Sequence, residues 1–392
     1  MKILVISQYY YPEPFKVHDV CEALVAEGHE VDVVTSFPNY PMGEIYDGYK
    51  NGEHKDEVIN GVNVHRVFTI GRKTGFLWRT VNYYTYSFAS SRYVNKLKKD
   101  YDVVFVYQLS PVLMTNAAIK YKKKYNKKLL LYCLDLWPDS LTLGGVKKDS
   151  VIYNYYKKKS QKIYGSADKI LVSSKMFEQY FEEMFKINGE KTGYLPQYAE
   201  DVFVPLSRED DEITNITFAG NIGTTQSIET ILYAAEKLKE EKINFHFYGD
   251  GSGLSTFEDL VKNQLKLNNV FFHGRISLQE VARKYAESDG LIVTLSDNPV
   301  LSMSFPGKIQ TYMAAGKPII GAVNGEAAEI LKEAKCGFYT KAEDVDGLVE
   351  CIREFIKSDK NPLGENARRY YEQNFQKADF IKRLSAELEK LR

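Results

Sequence analysis

Short runs of consecutive apolar residues recur along the chain, and between them apolar positions return every three or four residues. In the first half the runs fall at 2–7, 31–35, 64–68, 102–107, 129–134 and 169–173. In the second half they fall at 213–219, 244–248, 270–273, 290–294 and 318–322. Uninterrupted runs rich in Val and Ile suit strands covered on both faces of a parallel sheet. The intervening segments carry helical period. Val17, Val20, Cys21, Leu24 and Val25 share one face, as do Ile228, Ile231, Leu232, Ala235 and Leu238. Gly28 and Gly165 read as helix stops. Strand–helix alternation, twice over, predicts two doubly wound Rossmann-like α/β domains facing a cleft. The boundary is expected at 196–212, where Pro196, Pro205 and the run Arg208-Glu209-Asp210-Asp211-Glu212 break the pattern.

A length of 392 residues is enough for two cores. With 44% hydrophobic and 27% charged residues, the composition excludes a disordered, collagenous or disulfide-rich chain. Cys21, Cys133, Cys336 and Cys351 lack metal-ligand spacing and read as buried thiols, which fits a reducing compartment. The apolar run after Met1 is too short for a signal-peptide core, and no stretch reaches the ~18 apolar residues of a membrane span. The expected location is the cytoplasm. The net charge is zero, yet residues 1–200 hold 28 Lys and Arg against 22 Asp and Glu. That surplus suggests an anionic partner for the first half.

Three segments of the second half carry candidate chemistry. In Ala219-Gly220-Asn221-Ile222-Gly223-Thr224-Thr225-Gln226-Ser227 a strand ends in a Gly-rich turn that opens a helix. Such a turn can cradle a phosphate with backbone N–H groups, or be only a tight connection; both readings stand. Tyr248-Gly249-Asp250-Gly251-Ser252-Gly253 repeats the arrangement, though ordinary turn chemistry accounts for it. In Ser304-Phe305-Pro306-Gly307-Lys308 a cation enters the first turn of a helix, against the dipole, unless an anion binds nearby.

These three segments, in this order, resemble the carboxy-terminal domain of retaining GT-B glycosyltransferases of family 4. The first half agrees through Ser7-Gln8-Tyr9-Tyr10-Tyr11-Pro12-Glu13-Pro14, Glu27-Gly28-His29-Glu30-Val31, Phe37-Pro38-Asn39-Tyr40-Pro41 and Asp135-Leu136-Trp137-Pro138-Asp139-Ser140. The set resembles a bacterial subgroup that includes N-acetylfucosaminyltransferases of surface-polysaccharide assembly. The resemblance implies that residues 1–200 serve the acceptor and 201–375 the nucleotide-sugar donor, with a terminal helix over 376–392 crossing back. Phe380, Leu384, Leu388 and Leu391 give that helix an apolar stripe. It further implies that Gly220, Asn221, Gly223 and Gln226 line the donor diphosphate, with Gly249 and Gly251 near the nucleotide. Arg275 and Lys308, which follows Gly307, would face the diphosphate. Glu326 or Glu329 would approach ribose or sugar, and Asp135 the acceptor.

Two departures stand out. Met303 and Thr311 occupy the places of two glutamates common in the family, and Pro12-Glu13-Pro14-Phe15-Lys16 replaces a glycine pair in the first loop. Loss of the two carboxylates points to an N-acetylated or deoxygenated donor sugar, with uridine diphosphate the carrier by resemblance. No Asp-x-Asp pair is expected on a strand-end loop in the cleft, so no metal and no further cofactor is expected. Asp135 also reads as a helix cap, a role open to Asp139 as well. Lysines with Tyr or Trp, such as Lys122, Lys123 and Lys124 beside Tyr121 and Tyr125, fit a solvated face or a peripheral contact with an anionic membrane. A nucleic-acid partner is not expected, because no recognition motif accompanies the charge. Lys317→Ala, at the far end of the Lys308 segment, is expected to be nearly silent. The expected activity is transfer of a sugar to a lipid-diphosphate-linked glycan. A sugar-nucleotide epimerase or hydrolase, or a non-catalytic binder of the same fold, are the alternatives.

Overall fold

The structure, a computed structural model, describes residues 1–206 and 212–392. Arg208, Glu209, Asp210 and Asp211 of the expected boundary run lie outside the described residues. The chain divides into two compact units: unit 1 is Met1–Leu195 with Ile381–Arg392, and unit 2 is Pro196–Phe380.

Among the described residues, unit 1 contains the strands β1 (Lys2–Ile6), β2 (Glu30–Ser36), β3 (Asp56–Ile59), β4 (Val62–Val67), β5 (Val103–Gln108), β6 (Lys128–Cys133), β7 (Lys169–Val172) and β8 (Thr192–Tyr194). Their order is β3-β4-β2-β1-β5-β6-β7-β8, parallel except for the β3 hairpin at one edge. Ile3, Leu4, Val5 and Ile6 are all fully buried, as a strand flanked by helices on both faces requires. The chain runs outward in one direction from β1 to β2 and β4, then returns to place β5 on the other side of β1. That reversal is a topological switch point, where the loops after β1 and β5 diverge and leave a crevice.

Unit 2 repeats the plan with β9 (Thr214–Ala219), β10 (Ile243–Tyr248), β11 (Val270–Phe272), β12 (Gly290–Thr294), β13 (Ile319–Ala322) and β14 (Gly337–Thr340), ordered β11-β10-β9-β12-β13-β14. All its pairings are parallel, and its switch point lies between β9 and β12. The predicted helices appear at Val17–Ala26 and Ile228–Lys237. Gly165 does not stop a helix: it lies in the last turn of Val151–Ser166. The terminal helix spans Lys377–Lys390, with Phe380, Leu384 and Leu388 buried. Ser385 joins His29 at 2.7 Å inside unit 1.

Two buried charges fix local geometry. Lys317 is buried and bonded, so Lys317→Ala is not the silent replacement expected from sequence. Its Nζ donates to the carbonyls of Ala286 (2.7 Å) and Ser288 (3.0 Å), closing the Leu278–Glu287 helix at its negative end. Glu13 lies in the loop after β1 with 1% exposure. Its Oε1 accepts the N–H groups of Asn39 (2.8 Å) and Tyr40 (2.7 Å), and its Oε2 that of Tyr10 (3.3 Å). The carboxylate thereby ties the loop after β1 to the loop after β2. Burial pushes its pKa from 4.5 to about 7, against those three N–H groups, which favour the ionised form.

Replacing Lys317 by Ala strands two carbonyls and removes a cation from a helix C-terminus, at a cost of about 1–3 kcal/mol. Denaturant unfolding should show that loss, with the exposed Lys262→Ala as control; equal midpoints would refute the capping role. Glu13 sets a pH dependence. Between pH 4.5 and about 7 the folded state holds a proton that the unfolded state has released. Its contribution to stability is therefore complete below that window and lost as pH rises through it, by up to about 3 kcal/mol. Glu13→Gln should flatten that part of the stability–pH curve, and parallel curves for the two proteins would exclude the assignment.

Candidate active site

In unit 2 the strand ends nearest the switch point converge on Lys308. Pairing between β9 and β10 continues past the strands: Gly220 N–H donates to the Tyr248 carbonyl and Ile222 N–H to that of Asp250, both at 2.9 Å. Gly249 N–H reaches the Gly274 carbonyl at 2.8 Å. Three loop backbones thus run side by side. Gly249 has φ +144°, and a Cβ there would collide with the Gly220 carbonyl. A Cβ at Gly251 would strike the Ile222 carbonyl. Backbone packing alone accounts for these two glycines.

Gly220 serves a side chain instead. A Cβ at that position would sit 2.6 Å from Lys308 Cε. The space it leaves lets Lys308 extend from the second position of the Gly307–Ala314 helix. Its Nζ donates to Gln226 Oε1 at 2.7 Å and lies 4.8 Å from the centre of the Phe218 ring. Among the described residues no carboxylate forms an ion pair with it, and burial lowers its pKa from 10.5 to about 8. Gln226 is held by its own turn, Thr224–Gln226. Ser296, just beyond β12, donates its N–H to the Thr225 carbonyl (3.1 Å) and its hydroxyl to that of Thr224 (2.7 Å). The turn after β9 is therefore stitched to the end of β12, across the switch point. The arrangement is a fixed cation at a helix N-terminus, suited to an anion whose charge it would neutralise.

The remaining unit 2 residues are placed as follows. Asn221 is exposed and folds over Gly223, which is buried. Arg275 is exposed on the segment after β11 and directly follows Gly274. Glu326 and Glu329 both lie in the first turn of the Glu326–Ala334 helix, but Glu326 is buried and Glu329 exposed. Thr311 Oγ1 donates back to the Lys308 carbonyl at 2.8 Å. Among the described residues no group of His, Cys, Asp and Glu could hold a metal ion. Phe218 and Ser296 are not among the residues singled out from sequence. Phe218 reads there only as one more apolar position of a strand.

Unit 1 separates the two aspartates that follow β6. Asp139 is buried and accepts the hydroxyls of Tyr153 (2.9 Å) and Tyr180, so it is a structural anchor. Asp135 is partly buried at the strand end. Burial raises its pKa, against the Ser110 hydroxyl and N–H and the Arg72 charge, which favour ionisation. The carbonyl of Asp135 accepts from Gln108 Nε2 at 2.9 Å, so its backbone is fixed to the end of β5.

Comparison with known proteins agrees with this layout. Residues 17–197 match Glycosyltransferase Family 4, and residues 200–377 match Glycosyl transferases group 1. The chain is 30% identical over 292 residues to a probable glycosyltransferase, WbjE, of Pseudomonas aeruginosa, covering 70% of this chain and 71% of that protein. It is 22% identical over 413 residues to the putative colanic acid biosynthesis glycosyl transferase WcaI of Escherichia coli, covering 98% of each. The structure of Anabaena HepE in complex with UDP and glucose superposes with a TM-score of 0.70 at 14% identity, covering 100% of both chains. Two Rossmann-like units of the kind found in GT-B enzymes, each half matched by a glycosyltransferase family, leave one conclusion: the chain belongs to the GT4-like GT-B glycosyltransferases.

Proposed function

We propose that the protein moves a hexose, N-acetylated or deoxygenated, from a nucleoside diphosphate to a lipid-linked glycan during polysaccharide synthesis, with retention at the anomeric carbon. The observation that carries this reading is Lys308: a cation at the switch point of unit 2, without an acidic partner among the described residues and aligned with a helix N-terminus. Unit 2 takes the donor and unit 1 the acceptor. The anomeric C–O bond breaks and the electron pair goes to the diphosphate. Lys308, the amides of the turn after β9 and Arg275 neutralise it, so the site needs no metal. The acceptor hydroxyl oxygen bonds to the same face of the oxocarbenium-like carbon, and its proton passes to the departing phosphate oxygen. Asp135 stands on the acceptor side. Uridine diphosphate as carrier is supported by the HepE complex, and polysaccharide synthesis by the likeness to WcaI. Thr311 has turned its hydroxyl to its own helix and Met303 has none. Neither reproduces a carboxylate acceptor for sugar hydroxyls, which favours a less hydroxylated ring.

The test is a panel of nucleotide sugars, each incubated with and without lipid-diphosphate-linked acceptor in excess chelator. Nucleoside diphosphate released only with acceptor is expected, and best from an acetamido or deoxy sugar. An altered sugar without acceptor would replace this reading by an epimerase, and a preference for UDP-glucose would overturn the sugar assignment.

Lys308→Ala should keep its fold and most donor affinity but lose about 10²–10³ in single-turnover rate, because charge on the leaving oxygen grows as the bond breaks. Lys262→Ala should be silent. In the unmodified protein, UDP binding should weaken as pH rises above about 8. There the free site has lost the Lys308 proton that the diphosphate complex retains. Affinity unchanged up to pH 10, roughly the ordinary lysine range, would remove Lys308 from the site.

A further inference from the structure

Unit 1 has a cavity of about 190 Å³ between the first turns of the Phe76–Lys96 helix and the segment after β6. Arg72 and Arg79 line it together with Tyr83, Ser110, Trp137 and Tyr156. Neither guanidinium forms an ion pair with a carboxylate among the described residues. Arg72 lies 5.3 Å from the centre of the Tyr40 ring, and Asp135 is close enough to feel its charge without pairing. Two arginines so placed match a phosphate or diphosphate, which the planar guanidinium binds in bidentate fashion. Aromatic rings make up much of the rest of the lining. Trp137 packs edge-on against Tyr83 (6.4 Å) and Tyr156 (5.3 Å), and its indole N–H is taken up by Ser110 Oγ at 2.9 Å.

The apolar character continues out of the cavity. Phe76 and Leu143 line it and are also exposed. Beyond them, Leu77 (69% exposed) and Phe88 (71%) lie on one helix, with Val151 (88%) and Tyr155 on the Val151–Ser166 helix. The Tyr84 and Tyr155 hydroxyls, 3.1 Å apart, join the two helices. Side chains of this size left in water on adjacent helices mark a surface that something covers. Lysines border it: Lys73 Nζ is 4.5 Å from the Trp78 ring centre and Lys159 Nζ 5.0 Å from that of Tyr155. Lysine with aromatic rings beside bare aliphatic residues is the chemistry of a bilayer interface. Of the lysines named from sequence, Lys122 pairs with Asp168 and Lys124 donates to the Asn95 carbonyl (2.6 Å).

We propose that this cavity receives the diphosphate head of a prenyl lipid, with Arg72 and Arg79 on the phosphates and the chain lying over the apolar face of the two helices at the membrane surface. That the lipid is the acceptor's anchor rests on the transferase reading above; that the cavity binds it does not. The probe is farnesyl diphosphate, compared by calorimetry with inorganic pyrophosphate and with farnesol, using the full chain. Farnesyl diphosphate should bind at least about tenfold more tightly than either half alone, since head and chain each contribute. Arg72→Gln/Arg79→Gln should lose about tenfold or more of that affinity. Leu77→Ser/Phe88→Ser should lose the preference over pyrophosphate and sediment less with phosphatidylcholine vesicles carrying the prenyl lipid. UDP binding, retained by every variant, certifies the fold. Pyrophosphate bound as tightly as farnesyl diphosphate would make this a free-phosphate site and overturn the proposal, as would an arginine variant that binds like the unmodified protein. Arginine-dependent binding without sugar transfer to any acceptor would sink the transferase reading and leave the lipid site standing.

Discussion

An ammonium group beside an amide oxygen and an aromatic ring, with no carboxylate paired to it, is a cation whose local neutralisation must come from elsewhere. Much of unit 2 is arranged to keep Lys308 in that state. Gly220 leaves the space for its side chain, Gln226 holds its Nζ, and Ser296 fixes the turn that carries Gln226. Desolvation alone would drive off the proton, and the pKa of about 8 shows how far that has gone. The same desolvation strengthens any attraction to an anion that enters. A site that is electrostatically unsatisfied when empty is preorganised for the charge it receives, and that is where an enzyme gains most.

Unit 1 has a switch point of the same kind and uses it differently. Its first loop is held by a buried carboxylate: Glu13 gathers three backbone N–H groups from two loops. Those amides, which a glycine-rich loop would leave open to a ligand, are here occupied from within. Positive charge without a carboxylate partner among the described residues is found instead on Arg72 and Arg79, in a cavity lined by aromatic rings. One fold thus presents a compact cation among glycines in unit 2, and planar guanidinium groups among rings in unit 1.

Much of this was legible from sequence where the signal is local. Apolar runs such as Val103-Val104-Phe105-Val106 mark buried parallel strands because both faces of such strands are covered. β3 (Asp56-Glu57-Val58-Ile59) escaped notice because it is a polar antiparallel edge, and β8 and β14 because they are short and contain Gly193 or Gly337. Lys308 was conspicuous because a cation in a first helical turn conflicts with the dipole. Its neighbour Phe218 was not, because a ring that serves a lysine looks the same in sequence as one that serves a core. Lys317 was misread for a related reason: the carbonyls that make it structural belong to residues about thirty positions earlier. That Arg72 and Arg79 share a cavity with Trp137 follows only from the fold.

The assignment of Ile381–Arg392 to unit 1 has a consequence for how the protein is made. Unit 2 is continuous in sequence, whereas unit 1 is interrupted by all of it. Leu384 and Leu388 are fully buried, and Ser385 is bonded to His29. During synthesis from the N-terminus, every residue of unit 2 is therefore available before unit 1 can close its core. The half that begins first finishes last, and until then the apolar surface that Leu384 and Leu388 will cover stays bare.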